Sequence, residues 1–375
     1  MNKTVDVQSW ELDADSQVKR PTSIYSAIVD SFFINRFIWK HRRFHLFLSL
    51  LGIGAFTART IAFILEIISN PNSPNLSISS FILYAISQVW VLYAVLENFA
   101  FPSVKFIKSF DEIWSELPLS SEPEIVTAIK KSNRFSNIVS FCILINSITI
   151  LIASSTIEYL STLNASIIYF LGNKSVELYA NLIIANILRG FLISGGYIKI
   201  GHQYIYNEIV AIAGDATAPD LSFCRLRHEH HDLVQCGHLC DAAFRRFVTT
   251  VCSVQVPMAV LIIYNNLYMD IDVITRVNYF LALLDFGTFI AFFVPCLVGF
   301  YSFPSQARDY IYFSTLVGRS NLFKSEALHF IDMINLKSCG IKFMGLYLLT
   351  PDIIPTFATI VFTYVMAIPN FRNAV

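Results

Sequence analysis

The sequence predicts an all-α, polytopic membrane protein with seven transmembrane helices and cytosolic helical extensions, its N-terminus inside and its C-terminus outside. Three observations carry that expectation. Of 375 residues, 55% are hydrophobic and only 14% charged, against roughly 25% charged in an average soluble domain. Seven separate stretches are long and apolar enough to cross a hydrocarbon core, which takes about 20 residues of helix. Lys and Arg gather in alternate connecting segments.

A mean hydropathy of +0.56 leaves little polar surface for water. The 27 Lys and Arg balance 27 Asp and Glu, so no basic patch points to nucleic acid. The first 45 residues are polar, with no apolar core followed by a small-residue cleavage site, and no cleavable signal is expected. They form a cytosolic segment, 1–45, ahead of residues 46–303 with six spans and residues 304–375 with a cytosolic helix and the seventh. In order the spans are 46–69, 79–101, 136–158, 178–201, 247–269, 277–303 and 343–368. The second, third and sixth are the clearest. Arg189 and Lys199 interrupt the fourth, and Pro351, Asp352 and Pro355 break the first turns of the seventh.

Orientation follows from the basic residues, which cytosolic flanks retain. Segments 1–45, 102–135, 203–246 and 304–342 hold seven, five, four and five, which places 21 on one side. The opposite side holds three, Lys174, Arg276 and Arg372. That arrangement is the reverse of a G-protein-coupled receptor. Sequons at Asn75, Asn164 and Asn173 all fall in segments assigned to the outside and are glycosylation candidates. All seven Cys lie in spans or cytosolic segments, so no outer disulfide is expected. The cytosolic connectors read as helices. In 105–134, Phe106, Ile107, Phe110, Ile113 and Trp114 recur at helical spacing, which predicts that a span continues below the membrane. Segment 305–338 does the same with Ile311, Leu316, Leu322, Leu328, Ile331 and Ile334.

The last span ends in Thr363-Tyr364-Val365-Met366-Ala367-Ile368-Pro369-Asn370-Phe371. This run resembles the terminal signature of insect-type gustatory receptors: a Thr-Tyr pair, five mostly apolar residues, then Gln-Phe. Asn370 stands where the family has Gln, and Pro369 enters the apolar run. Cys339 to Met344 is similar to the family's small-residue lead-in to this helix. Length, seven spans, inverted topology and long cytosolic connectors match across the chain. The resemblance implies a plasma-membrane, ligand-gated, non-selective cation channel, a homo- or hetero-tetramer in membrane lipid, gated by a small molecule and needing no cofactor. It implies a central pore lined by the seventh helices, a cytosolic anchor and a ligand pocket in each subunit's outer half. Thr363, Tyr364, Asn370 and Phe371 inherit the motif positions. Apolar neighbours such as Ile368 would gate by dewetting beside the Asn370 amide, and Asn, one methylene shorter than Gln, puts pore width and selectivity in question.

Arg59, Arg189 and Asp285 are charges inside spans, which are costly and mark function. Arg189 and Asp285 lie about 16 and 12 Å from the outer span ends at helical rise, close enough to pair. A polar ligand pocket fits them as well as a structural ion pair or a water-filled cavity does. Tyr84, Gln88, Tyr179, Asn181 and Tyr279 are further pocket candidates in the outer halves. They fit packing as well. Segment 224–240 brings together Cys224, His228, His230, His231, Cys236, His238 and Cys240, but without the C-x-x-C pairs of zinc sites. Its apolar i, i+4 pattern predicts a continuous helix, and no metal site is expected. No triad, phosphate loop, H-E-x-x-H or dinucleotide fingerprint occurs, so an enzyme is not expected. A G-protein-coupled chemoreceptor is the alternative reading, opposed by the charge count and by the lack of Asp-Arg-Tyr or Asn-Pro-x-x-Tyr. A transporter comes third, since only the seventh span is broken. The sequence names no ligand: sugars, bitter compounds, light and internal metabolites all remain open.

Overall fold

The computed structural model describes residues 78–100, 104–161, 167–215, 217–269, 273–299, 304–316, 319–336, 340–350 and 352–372, with Ile271 and single positions between Ser23 and Ile68. These are helical almost throughout. Helices α1 (Ile78–Ala100), α2 (Val104–Glu116), α3 (Pro123–Ser161), α4 (Ile167–Gly214) and α5 (Ser222–Tyr268) are followed by α6 (Val273–Gly299), α7 (Pro304–Leu316), α8 (Asn321–Leu336) and α9 (Ile353–Arg372). A short antiparallel hairpin, β1 (Lys342–Phe343) and β2 (Tyr347–Leu348), precedes α9 and pairs Lys342 with Leu348.

Helices α3, α4 and α5 have 39, 48 and 47 residues. At 1.5 Å per residue they run about 59 to 72 Å, twice the ~30 Å hydrocarbon core. Each therefore reaches well beyond a membrane. Four described helices, α3 to α6, are long and apolar enough to cross one. The second and seventh expected spans are the helices α1 and α9, whose described apolar stretches, Ala85–Ala94 and Ala358–Ala367, are shorter. The first, 46–69, lies largely outside the described residues, and its described positions are helical.

The ends of α3, α4 and α5 that carry the basic segments gather with α2, α7 and α8. Segment 105–134 is two helices and not one continuing span. Leu117, extended at φ −68° and ψ 127° as a residue before proline favours, ends α2. A 3-10 turn then spans Pro118–Ser121, and Pro123 opens α3 at the first helical position, where a missing N–H costs nothing. Phe110, Trp114 and Leu119 are buried in the notch; outside a bilayer, each large apolar side chain so buried contributes about 1.5–3 kcal/mol. In the turn after α4, Asp215 Oδ1 accepts hydrogen bonds from the Thr217 amide at 2.8 Å and hydroxyl at 2.7 Å, which hold its carboxyl below the usual range. Arg319 donates to the carbonyls of Ile212 (3.2 Å), Ala218 (3.4 Å) and Asp215. A cation there complements the negative end of the α4 dipole. Ser320 Oγ caps α8 by accepting the Phe323 N–H at 3.1 Å, and Arg227 of α5 reaches Glu326 of α8 at 3.1 Å.

Helix α4 is the centre of the bundle: 67% of its apolar stretch is buried, against 22% for α6. An aromatic column runs between α2, α4, α5 and α6, with Trp114 on Tyr197 at 5.1 Å between ring centroids, Phe191 on Phe244 and on Phe293 at 5.5 Å, and Phe247 on Phe293 at 5.9 Å. Such pairs contribute about 0.5–1.5 kcal/mol beyond their area. Below the column α4 and α5 close up at Gly201, where a Cβ would stand 2.9 Å from Leu233 Cδ1.

The helix expected as the seventh span begins at Ile353, not at 343. Met344 at φ 52° and Gly345 at φ 75° turn the chain back before it. Asp241 Oδ1 accepts the Lys342 N–H at 2.8 Å and Thr249 Oγ1 that of Met344 at 3.1 Å, tying the hairpin to α5. Apolar composition cannot separate a hairpin from the first turns of a helix. Asn173 falls within α4 and not in a loop; its side chain, like Asn75, Asn164 and Arg59, lies outside the described residues.

Arg189 and Asp285 do not pair. Arg189, 1% exposed, donates from Nε to Asn137 Oδ1 at 2.7 Å and from Nη2 to the Ala27 carbonyl at 2.8 Å. Asp285 accepts from Asn146 Nδ2 and Ser147 Oγ, each at 2.9 Å. Their partners are nine or ten residues apart on α3, about 14 Å at helical rise. The expectation failed because α4 starts at Ile167, eleven residues before the expected edge of the span. That sets Arg189 about 33 Å from the helix end, not ~16 Å.

Two outcomes follow. The losses of unfolding free energy caused by Arg189→Gln and Asp285→Asn in the purified chain should add in the double variant to within about 0.5 kcal/mol, since the sites share no partner among the described residues; a larger coupling would mean that the two charges communicate. Gly201→Val should lower stability by about 1–3 kcal/mol through overpacking, and Leu233→Ala in the same chain should recover part of it. An unchanged melting temperature for Gly201→Val would contradict the close approach of α4 and α5.

Candidate functional site

Five helices leave a cavity of about 260 Å³ between them. Each contributes one face. Ser87, Trp90 and Val91 come from α1, Ile143, Ser147, Ile150 and Leu151 from α3, and Glu177, Ala180, Asn181, Ile184 and Ala185 from α4. Gln255 and Met258 come from α5, and Asn278, Ala282, Asp285, Phe286 and Phe289 from α6. The spacings of three, four, seven and eight are those of residues stacked on one side of a helix. Small residues at Ala180, Ala185 and Ala282 hold the space open, with larger side chains above and below them.

The cavity lies away from the basic end. Its residues stand ten to 18 positions inside the far ends of α3 and α4, about 15–27 Å deep. It is mixed in character. Trp90, Phe286 and Phe289 give it aromatic walls, and Ser147, Gln255, Asn278, Asp285 and Glu177 give it polar ones. Asp285 keeps its position through the hydrogen bonds from Asn146 and Ser147, both neutral donors. A carboxylate at mid-membrane costs about 2.5–3.5 kcal/mol on insertion scales, so two neutral hydrogen bonds only partly offset it. Gln255 is 7% exposed, and its Oε1, with Asn278 Oδ1, is buried without a hydrogen-bond partner among the described residues. Polar groups left open this way point into space that a ligand or water can fill.

Of the pocket residues expected from sequence, Asn181 and Asp285 line the cavity and Arg189 does not. Gln88 is buried beside the lining residue Ser87, with both amide atoms lacking partners among the described residues. Tyr179 and Tyr279 are half-buried next to lining positions, and the side chain of Tyr84 lies outside the described residues. Ser147, Gln255, Asn278 and Glu177 were missed. The signal available for them was polar side chains sharing one helix face with Asp285 or Asn181, which needs the helix register as well as the residue type.

On α9, Thr363 and Tyr364 are exposed, while Val365 is buried. The helix lies on α5, where Tyr268 Oη donates to Met366 Sδ at 4.0 Å. Phe362, Tyr364 and Met366 are 68%, 58% and 52% exposed. Ile368, Asn370 and Phe371 belong to the last turns of α9, and their side chains lie outside the described residues. Segment 224–240 is helical within α5, as expected. His230, Cys236 and Cys240 are buried and His228 and His238 exposed; the His230 ring stands 5.6 Å from that of His202 and 5.5 Å from that of Phe330. Among the described residues, no group of three or more His, Cys, Asp or Glu is placed to hold a metal.

No family model and no curated protein matches the sequence. Solved structures do match. The insect olfactory receptor OR5 from Machilis hrabei in complex with eugenol superposes with a TM-score of 0.70 at 10% identity, covering 97% of this chain and 98% of that one. A second structure of the same receptor gives 0.67 at 11% identity over 86% and 87%. At these identities the likeness is one of fold. The chain has the all-helical fold of the insect olfactory receptors, a family related to the insect gustatory receptors that residues 363–371 resemble.

Proposed function

We propose that this chain is a gustatory-receptor-like chemosensory receptor, a ligand-gated non-selective cation channel of the plasma membrane. The observation that carries the reading is the shared fold along 97% of the chain. The neighbour is an olfactory receptor with a small molecule, eugenol, bound. In this chain a small molecule enters the five-helix cavity, where open polar groups and aromatic walls receive it. The pocket comprises Asn181 and Asp285 of the sequence-derived set, with Gln88, Tyr179 and Tyr279 behind its lining.

The channel part rests on α9. Its exposed Phe362, Tyr364 and Met366 are apolar and leave the helix free to face lipid or other copies. Four copies around an axis bring four α9 helices to a central pore, with Ile368 as an apolar ring and Asn370 as a ring of amides. The N-terminus lies in the cytosol and the C-terminus outside, on the strength of the 21 basic residues at one end. The helix ends beyond the membrane then form the cytosolic anchor, and Thr363 and Tyr364 act in packing and gating deeper in α9. The Asn75, Asn164 and Asn173 sequons face the side on which glycans are added.

Current recording from cells expressing the chain, across a panel of small molecules, tests the function. A responding ligand should lose its effect in Ala282→Trp, which fills the cavity, while the variant still reaches the surface. An intact response would place the ligand elsewhere. An N-terminal epitope should be reached by antibody only after permeabilisation and a C-terminal one without it; labelling of the N-terminal tag on intact cells would overturn the orientation. Ile368→Ser should raise basal current by wetting the constriction, and Asn370→Ala should change relative permeability among monovalent cations. If both leave a functioning channel unaltered, and neither Ile368→Cys nor Asn370→Cys is blocked by an external thiol reagent, α9 does not line the conduction path.

A further inference from the structure

We propose that the five-helix cavity is built for a ligand bearing a protonated amine, which its ammonium presents to the Asp285 carboxylate while its apolar body lies against Trp90, Phe286 and Phe289. The inference rests on the reading of the cavity as the ligand site and adds the chemical class of what it takes.

The argument is one of donors and charge. Asp285 accepts from Asn146 Nδ2 and from Ser147 Oγ, at 2.9 Å each. Neither donor carries charge, and among the described residues no Lys, Arg or His stands within ion-pair reach of it. The cavity lining holds two acidic residues, Asp285 and Glu177, and no basic one. A buried carboxylate is ordinarily matched by a positive charge, and here the open side of Asp285 is the cavity. Gln255 Oε1 and Asn278 Oδ1, both buried without a hydrogen-bond partner among the described residues, line the same space. An amide can turn either end inward, but an ionised carboxylate is an acceptor in every orientation. An ammonium group offers three N–H donors and one positive charge, as many donors as there are acceptor groups in Asp285, Gln255 and Asn278. Aromatic faces attract cations, and the three aromatic residues of the lining supply them. A polyol would satisfy the acceptors but leave the charge unmatched, and a carboxylic acid would add to it. At about 260 Å³ the cavity sits just below the usual range for small-molecule pockets, which suits a compact body of one or two rings.

The test uses the purified full-length chain in lipid nanodiscs, with affinities taken from ligand-induced shifts of melting temperature. The probes are phenethylamine and tryptamine, their neutral counterparts 2-phenylethanol and tryptophol, and fructose. Both amines should bind at least tenfold more tightly than their alcohols near neutral pH, and fructose more weakly still. Asp285→Asn should erase the amine preference, Asp285→Glu should retain it, and Ala282→Trp should abolish binding of every probe. The comparison in the wild-type chain needs no variant, so misfolding of Asp285→Asn leaves it decisive. If the alcohols or fructose bind as well as the amines and Ala282→Trp blocks them, the amine assignment is overturned while the cavity stands as the ligand site. If no amine binds, the assignment is likewise overturned. Binding that survives Ala282→Trp would remove the ligand from this cavity, and both readings would fall.

Discussion

Helices α4 and α5 pack against each other along a buried seam, and the rest of the molecule is arranged on that pair. Each is about twice as long as a membrane is thick. Helix α4 also carries α1, α3, α6 and α7, and α5 carries α1, α2, α6, α8 and α9. In lipid no hydrophobic force drives helices together, so their association depends on close packing and on polar contacts. The seam supplies the first through Phe191, Tyr197, Phe244 and Phe247, fully buried or nearly so, and through Gly201, which admits Leu233. Beyond the membrane water is the competing solvent, and burial of Phe223, Phe323 and Phe330 gains its usual hydrophobic contribution. One continuous pair of helices thus uses two different physical forces along its length, and the 3-10 turn, the Arg319 contacts and the hairpin fasten the second region to it.

The all-helical class was legible because it depends on a quantity that a sequence displays directly, the length of its apolar stretches. Helix type was legible too, in 224–240 and in 305–338, where periodic apolar residues survive outside the spans. Helix ends were not. An apolar stretch does not mark where a helix stops, and α4 continues through mixed polar and apolar residues for eleven positions before 178 and 13 after 201. That excess displaced Arg189 from where counting put it and suggested a partner it does not have. The break at Leu117 was missed for a related reason. Periodicity on both sides of Pro118 is helical, and only the proline pair at 118 and 123 signals that two helices meet there.

The cavity was half legible. Asp285 and Asn181 stand out because polar residues are rare in spans. Gln255 and Asn278 are just as polar, but their bearing on the site depends on five helices being rotated so that one face of each points to a common space. Rotation about a helix axis is set by neighbours, not by the residue itself, and residue type alone does not reveal it. The lead from the terminal signature was of a different kind, a short run of residues with a known likeness. It agrees with the fold found along the whole chain, although sequence identity to that fold is only 10%. Agreement between a local run and a global shape, at an identity too low for either to imply the other, is stronger than each taken alone.

Buried polar groups in this bundle fall into two kinds, and the difference separates architecture from function. Arg189 is almost wholly enclosed, and its donors meet protein acceptors on α3 and at Ala27. Its partners are supplied by the chain, so the contact does mechanical work: it ties an N-terminal residue to the centre of the bundle, and a charge buried with partners in place is destabilising to disturb by several kcal/mol. Gln255 Oε1 and Asn278 Oδ1 have no hydrogen-bond partner among the described residues, Asp285 has only neutral donors, and all three residues border the same empty volume. A fold under pressure only to be stable would replace such groups with apolar ones, at little cost in lipid. Ala180, Ala185 and Ala282 line the same space, so these acceptors border open volume where Arg189 meets protein. The cavity joins α1, α3, α4, α5 and α6 at one level, and α5 is also the helix on which α9 rests. Tyr268 of α5 meets Met366 of α9, so the helix that carries Gln255 and Met258 into the cavity is also the one α9 packs on.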